Sequence, residues 1–294
     1  MSDKIPVILD TDIGSDIDDT WALAMMLKSP ELDVKMVVTD TGNTVSRAKI
    51  AAKMLEVGQR TDVSVGIGIP FSDKATRQEP WVAGYDLSTY PGTVYEDGVN
   101  GLIQTIMDSP EPITLVCIGP VPNIGAALKR EPKIAQKARF VGMHGSIRLG
   151  YGGSEKVSAE CNVVNHTKDC QKAFTADWDM TITPLDTCGL VHLTGGKYRS
   201  VYECNDPLTR ALIENYRVWA KYSPASQQRS STLFDTVAVY LAFSDELLVM
   251  EKLGVRVTDD GYTVIDENAK VINCAMGWKD LSAFEDLLVE RLTG

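Results

Sequence analysis

Apolar and polar residues alternate along the chain in blocks whose period changes from segment to segment. Short runs rich in Val, Ile and Leu are typical of buried strands, and the stretches between them have helical spacing. The pattern predicts strands at residues 5–9, 32–39, 63–69, 113–118, 139–143 and 180–184. It predicts helices at residues 18–28, 99–107, 124–129, 168–176, 206–222, 232–240 and 281–292, and one more that Thr44 caps. This alternation predicts an α/β fold with an open, mostly parallel sheet flanked by helices.

Two long segments depart from the alternation. Residues 70–95 are irregular and include Trp81, Tyr85, Tyr90 and Tyr95, which suits either a lid over a planar ligand or a loop pinned to the surface. Residues 248–275 predict a small β-rich C-terminal extension with a hairpin at Asp259-Asp260-Gly261. Because no repeat or linker interrupts the chain, we expect a single domain over residues 1–294.

Charge and composition narrow the classes of partner. The net charge of -11 at pH 7 argues against nucleic acid and anionic membranes, which require a basic surface. No apolar run approaches the length of a membrane span, and residues 1–6 do not resemble a secretion signal. The six cysteines form no CxxC pair, so we expect buried free thiols in a reducing cytoplasm.

The largest cluster of candidate functional residues lies directly after the first predicted strand. Five carboxylates occur within ten positions around a glycine at position 14, namely Asp10, Asp12, Asp16, Asp18 and Asp19. Such a cluster repels itself unless a cation is present, and oxygen ligands suit calcium or magnesium. Helix-start carboxylates are the alternative for Asp18 and Asp19, but Asp10 and Asp12 follow an apolar run where charge is costly. We therefore favour a metal site.

This stretch resembles the signature of the nucleoside hydrolase family of the inosine–uridine-preferring type, a strand followed by Asp-x-Asp-Pro-Gly-x-Asp-Asp. Here the turn is two residues longer, and Ile13 replaces the proline. Four further segments resemble family motifs in the same order: Asn43, Ile118 to Asn123, Ala159 to Asn162, and Phe234-Asp235. The resemblance implies a calcium-dependent enzyme that hydrolyses the N-glycosidic bond of a ribonucleoside. It also implies purine or pyrimidine salvage and a cytoplasmic homodimer or homotetramer.

The resemblance assigns roles by position. The Ca²⁺ ligands would be Asp12, Asp19, the Ile118 carbonyl and Asp235, with Asp12 also the general base on a water. The groups that hold the ribose hydroxyls or the water would be Asp18, Asn43, Glu160, Asn162 and Asp235. We expect residues 157–164 to be extended, which places Glu160 and Asn162 on one face. Carboxylates around the ribose would stabilise the positive charge that develops as the bond breaks.

Departures from the family pattern keep other interpretations open. Phe234 replaces the histidine that donates a proton to the leaving base in many members, and a phenyl ring cannot do so. Trp81, His144 and Phe234 are candidates for contacts to the base, although a structural role is favoured for His144. A non-catalytic calcium and riboside binder is one alternative. A metal-dependent phosphatase is another, but the lysine that it requires is not found.

Overall fold

The computed structural model describes residues 4–73 and 76–294 and contains one ten-stranded sheet covered by helices on both faces. The strands are β1 Ile5–Thr11, β2 Leu32–Thr39, β3 Ser64–Ile67, β4 Val94–Tyr95, β5 Ile113–Cys117, β6 Ala138–Met143, β7 Met180–Thr183, β8 Leu248–Val257, β9 Thr263–Ile265 and β10 Val271–Trp278. The helices are α1 Asp18–Leu27, α2 Thr44–Val57, α3 Gly98–Asp108, α4 Pro122–Arg130, α5 Ile134–Lys137, α6 Cys161–Asn165, α7 Thr167–Thr175, α8 Leu185–Cys188, α9 Gly195–Tyr202, α10 Pro207–Trp219, α11 Thr236–Leu241 and α12 Leu281–Thr293. The predicted α/β class is confirmed.

The strand order places a topological switch beside β1. The order is β4-β3-β2-β1-β5-β6-β7-β10-β8-β9, and all pairs from β4 to β10 are parallel. The chain builds the sheet outward from β1 in one direction and then, from β5, in the other. The crevice between the carboxyl ends of β1 and β5 is where ligands bind in sheets of this kind.

The pleat of β1 divides its apolar residues between two layers. Leu9 packs in the cluster that contains α1, α2 and the helices α9 to α12, whereas Ile8 packs in the cluster that contains α3, α4 and α7. Nine of the ten residues of α1 are buried, because this helix lies between the sheet and the outer helices. The strand and helix that carry the acidic stretch are therefore held by the interior on all sides.

The C-terminal strands extend the main sheet. β10 pairs in parallel with β7, and β8 and β9 add antiparallel strands beyond it. The predicted hairpin at Asp259-Asp260-Gly261 connects β8 to β9, with Gly261 at a φ of +84°. The predicted β-rich extension is confirmed as an antiparallel edge of the sheet.

One element near the site differs from the sequence prediction. The extended conformation predicted for residues 157–164 is wrong, because Cys161–Asn165 is the helix α6. Glu160 is its N-cap, and its carboxylate accepts a hydrogen bond from the Asn162 N–H at 2.8 Å. This cap satisfies an otherwise unpaired helical N–H and outweighs the strand propensity of the valines nearby.

Three aromatic side chains pin the irregular segment 70–95 to the body of the protein. The Tyr90 hydroxyl donates to the Val63 carbonyl at 2.7 Å, and the Tyr85 hydroxyl donates to a Glu56 carboxylate oxygen. Trp81 is buried with Lys53 Nζ 3.9 Å from the ring centroid. Of the two interpretations of this segment, the structure favours the pinned loop for these aromatic residues.

All six cysteines are free thiols, as predicted, although they differ in exposure. Four are buried, namely Cys117, Cys170, Cys188 and Cys274. Cys204 is half-buried, and Cys161 is exposed beside the pocket described below. Across residues 4–73 and 76–294, no helix has the length and apolar character needed to cross a bilayer.

The Asn123 side chain ties together strand ends below the crevice. Its Nδ2 donates to Asp10 Oδ1 at 2.7 Å and to the Thr39 carbonyl at 3.1 Å, and its Oδ1 accepts from the Ile69 N–H at 2.9 Å. Asp10 is fully buried, and this burial raises its pKa to about 7. Asp10 therefore supports the strand ends through Asn123, below the acidic turn.

We expect Asn123→Ala to lower the free energy of unfolding by about 2–4 kcal/mol, because it leaves buried polar groups of three strand ends without partners. Denaturant unfolding followed by circular dichroism measures this loss. Asn268→Ala is the matched control, since Asn268 is exposed, and it should change the free energy by less than about 0.5 kcal/mol. Equal stability of the two variants would contradict the supporting role of Asn123.

Candidate active site

A cavity of about 190 Å³ lies at the carboxyl ends of β1 and β5, at the topological switch. Its lining residues are Asp12, Ser15, Asp16, Asp18, Asp19, Thr41, Arg47, Ile118, Met143, Tyr151, Glu160, Cys161, Asn162, Asn165, Phe234 and Asp235. Six of these residues carry a carboxylate and one carries a cationic side chain. The structure thus brings together most of the residues that the sequence selected.

Two helix starts converge on this cavity and supply its deepest carboxylates. Asp18 and Asp19 form the first turn of α1, and Asp235 is the N-cap of α11. One carboxylate oxygen from each of these three residues lies within 4.8 Å of the others. The Asp235 side chain does not cap its own helix, so its carboxylate is available to the cavity. Helix N-termini favour negative charge, which partly offsets the repulsion.

The trio is too crowded to be fully ionised without a counter-charge. Burial, followed by the neighbouring carboxylates, raises the pKa of Asp18 to about 7 and that of Asp19 and Asp235 well above the usual range. Asp18 and Asp235 influence each other's pKa, because their carboxylates lie close together in a buried site. Hard oxygen donors at this separation fit a divalent cation such as Ca²⁺, which would balance their negative charge.

Asp12 stands beside the trio and is not part of it. Its Oδ2 lies 3.8 Å from Arg47 Nη2, and a fifth of its side chain is exposed, at 20%. Burial raises the Asp12 pKa, and the guanidinium of Arg47 opposes this effect. A carboxylate that borders both the cavity and the buried trio is well placed to contact a ligand and a metal-bound water.

Another part of the cavity lining consists of Glu160, Asn162 and Ile118. Glu160 Oε2 accepts from the Gly145 N–H at 3.0 Å, and burial raises the Glu160 pKa to about 7. Asn162 Nδ2 donates to the carbonyls of Ile118 and Met143, both at 3.0 Å. The Ile118 oxygen keeps one lone pair for a further partner, so this contact is compatible with its predicted role as a ligand.

Asn43 does not line the acidic cavity, and its contact with ribose stays a prediction. Its Oδ1 accepts from the Ser46 N–H at 3.0 Å, so Asn43, and not Thr44, caps α2. It faces a separate surface cavity together with Lys49 and Asp73. Arg47, one helical turn further along α2, lines the acidic cavity instead.

Of the three candidates for contacts to a base, the structure places only Phe234 in the cavity. Trp81 packs against α2 outside it. His144 is fully buried between Phe140 and Phe174, with ring centroids 5.6 and 6.4 Å away, and burial lowers its pKa to about 3. Neither Trp81 nor His144 lines the cavity, so the structure gives no support to a contact between these residues and a base, and that role stays a prediction.

Two residues that sequence reasoning missed also line the cavity. Tyr151 packs edge-on against Phe234 with ring centroids 6.1 Å apart, and its hydroxyl accepts from the Cys161 N–H at 3.0 Å. Arg47 is buried within the start of α2. A signal was available for Arg47, because an arginine one helical turn after Asn43 faces the same strand ends.

Carboxylates and amides at the switch point of an open α/β sheet suit a hydrolase that acts on a sugar. Sugar hydroxyls bond to these groups, and the negative charge stabilises the positive charge that develops as a glycosidic bond breaks. The chain belongs to the inosine–uridine preferring nucleoside hydrolase family, whose model matches residues 7–285. It is accordingly a hydrolase that acts on N-glycosyl compounds, and ribonucleosides are the substrates for which the family is named.

Individual relatives match over most of their length. The pyrimidine-specific ribonucleoside hydrolase RihA of Enterobacter sp. (strain 638) is 26% identical, over 98% of this chain and 97% of its own. The non-specific ribonucleoside hydrolase RihC of Escherichia coli (strain SMS-3-5 / SECEC) is 27% identical, over 88% of this chain and 85% of its own.

Solved structures share the fold. A plant nucleoside hydrolase, PpNRh1, aligns with a TM-score of 0.84 and 23% identity, over 99% of this chain and 100% of its own. A purine-preferring ribonucleoside hydrolase from Gardnerella vaginalis aligns with a TM-score of 0.78 and 21% identity, over 98% of both chains. At these identities the likeness establishes the fold alone.

The raised pKa of Asp18 predicts how stability depends on pH without metal. Unfolded Asp18 ionises near its ordinary pKa of 3.8, whereas the folded value is about 7, so the folded state binds the proton more tightly. In EDTA, the free energy of unfolding should therefore fall as pH rises from about 4 to 7. Asp18→Asn should reduce that fall by about 2–4 kcal/mol in denaturant titrations at several pH values.

Asp259→Asn is the control for this measurement, since it removes an equal charge from a side chain that is 83% exposed. It should leave the pH dependence between 4 and 7 nearly unchanged. An Asp18→Asn profile parallel to that of the unmodified protein would contradict the assignment of the raised pKa.

Proposed function

We propose that this protein is a calcium-dependent ribonucleoside N-ribohydrolase that releases ribose and a free base. The observation that carries the proposal is the buried carboxylate trio at the switch point, with Asp12 and the amide of Asn162 beside it. Family membership supports ribonucleosides as substrates, and the named relatives RihA and RihC are ribonucleoside hydrolases. The homodimer or homotetramer and the cytoplasmic location stay predictions.

We assign Asp12, Asp19, the Ile118 carbonyl and Asp235 as the ligands of Ca²⁺. Bound there, Ca²⁺ would make a coordinated water easier to deprotonate. Asp18, Asn43, Glu160, Asn162 and Asp235 would hold the ribose hydroxyls or the water, although Asn43 Oδ1 already accepts from the Ser46 N–H.

The chain's own residues then account for the chemical step. Asp12 accepts a proton from the attacking water, which its position at the edge of the trio allows. Asp18 and Glu160, whose pKa values near 7 reflect burial, would ionise once a cation balances the site. Their negative charge would stabilise the ribose cation as the bond to the base lengthens.

A nucleoside panel tests the proposal. With inosine, uridine, adenosine and cytidine, ribose release measured as reducing sugar should require Ca²⁺ and should stop in EDTA. Asp12→Asn should lower kcat by about 10²–10⁴-fold, because the general base is lost. Asp259→Asn, which removes the same charge from an exposed position, should leave kcat unchanged.

Two results would overturn this proposal in favour of the alternatives. Calorimetric binding of ribose and Ca²⁺ without any ribose release across the panel would identify a binding protein. Release of phosphate from phosphomonoesters, with no ribose release, would identify a phosphatase.

The phenylalanine at position 234 leads us to expect a preference for leaving groups that need no proton. Phe234 and Tyr151 offer ring surfaces, but a phenyl ring cannot protonate a leaving base. We therefore expect p-nitrophenyl riboside, whose leaving group needs no proton, to be cleaved at least about 10-fold faster than inosine. Phe234→His should narrow this ratio by raising kcat for inosine, and Phe234→Leu is the control that adds no acid. An equal ratio in all three proteins would exclude position 234 from leaving-group chemistry.

A further inference from the structure

Arg47 is a buried cation in a cavity that is otherwise acidic. Its side chain is 4% exposed, and within the described residues it is the one cationic residue lining the acidic cavity. Its guanidinium makes three hydrogen bonds to uncharged oxygens and lies 3.8 Å from the Asp12 carboxylate. A charged group this well bonded is held in a defined orientation.

The three hydrogen bonds join two turns that come from neighbouring strands. Nη1 donates to the Ile13 carbonyl at 2.8 Å and Nη2 to Ser15 Oγ at 2.7 Å, both in the turn after β1. Nε donates to the Thr41 carbonyl at 2.6 Å, in the turn after β2. The first of these turns is the one that is two residues longer than the family pattern.

The turn after β2 is shaped around the guanidinium. Thr41 and Gly42 have φ angles of +51° and +66°, and a non-glycine residue adopts such a conformation at a cost. A Cβ added to Gly42 would lie 2.9 Å from Arg47 Nη2, so the guanidinium packs directly over this glycine. The position of Arg47 and the conformation of the turn therefore depend on each other.

The lengthened turn also has partners on its outer side. Trp219 Nε1 donates to the Ser15 carbonyl at 2.9 Å, and Gln78 Nε2 donates to the Asp16 carbonyl at 2.6 Å. These bonds hold the later residues of the turn. Among the side-chain donors in residues 4–73 and 76–294, only Arg47 bonds to the Ile13 carbonyl, next to Asp12.

We propose that Arg47 is a positioning residue that sets the orientation of the Asp12 carboxylate. It fastens the lengthened turn to the turn after β2, and it lines the acidic cavity, which Asn43 does not. The function of Arg47 depends on the planar fork of donors that its guanidinium offers (Nε, Nη1 and Nη2), because a lysine can supply the charge but cannot bridge both turns. The kinetic part of this proposal rests on the proposed function, whereas the structural part does not.

Arg47→Lys and Arg47→Gln test the fork separately from the charge. Both variants should lower kcat about 10-fold or more with KM changed less than about 3-fold, since a small misplacement of a reacting group slows the chemical step. Both should also raise amide exchange in residues 12–17, as measured by hydrogen–deuterium exchange mass spectrometry without substrate. Guanidinium ion at millimolar concentration should restore part of the kcat lost in Arg47→Ala.

Arg139→Lys is the matched control. Arg139 Nε donates to Thr114 Oγ1 at 2.8 Å and Nη2 donates to the Ala242 carbonyl at 2.5 Å, outside the acidic cavity. This variant should leave both kcat and the exchange of residues 12–17 unchanged, even where its melting temperature falls.

Several results would overturn the proposal. If Arg47→Lys retains the kcat and the exchange protection of the unmodified protein, the fork is not needed. If only the melting temperature falls, Arg47 has a merely structural role. If the unmodified protein releases no ribose from any nucleoside, the proposed function fails, and the exchange measurement still decides whether Arg47 holds the turn.

Discussion

Buried negative charge is the constraint on which this structure depends. Three carboxylates within 4.8 Å of one another, with a fourth beside them, lie at the end of a sheet that is packed between two apolar clusters. Isolated ionised groups in such a place cost far more than a domain's net stability. The site therefore needs compensation, and the helix N-termini, the Arg47 guanidinium and protons or a cation supply it.

These compensating groups meet at one place because the strand order of the sheet switches direction between β1 and β5. The chain continues from β1 toward one edge of the sheet and from β5 toward the other, which opens a crevice at the carboxyl ends of these two strands. The helices α1 and α11 begin beside this crevice. Below the crevice the Asn123 side chain donates to Asp10, and beside it the Asn162 side chain donates to the Ile118 carbonyl. Carboxylates that would destabilise an ordinary core are thus concentrated where charge can be used in catalysis.

Much of this arrangement could be predicted from the sequence, because it follows from local pattern. The alternation of strands and helices gave the parallel sheet, and the acidic stretch after β1 gave the site at its carboxyl edge. What could not be predicted depends on side chains reaching across turns. Asn43 and Arg47 lie one helical turn apart, and which of them enters the cavity depends on the length of a different turn, after β1. His144 follows a strand end, yet its ring packs away from the cavity.

Phe234 shows how the charge of the site and the choice of leaving group are linked. A site that stabilises the ribose cation strongly can break the bond early, with less need to protonate the base in the same step. In the proposed mechanism the buried carboxylates would supply that stabilisation, and Phe234 and Tyr151 present an aromatic surface without a histidine. The proposed mechanism therefore depends mainly on the groups around the sugar, and the departure of the base would depend on how well it leaves without a proton from position 234.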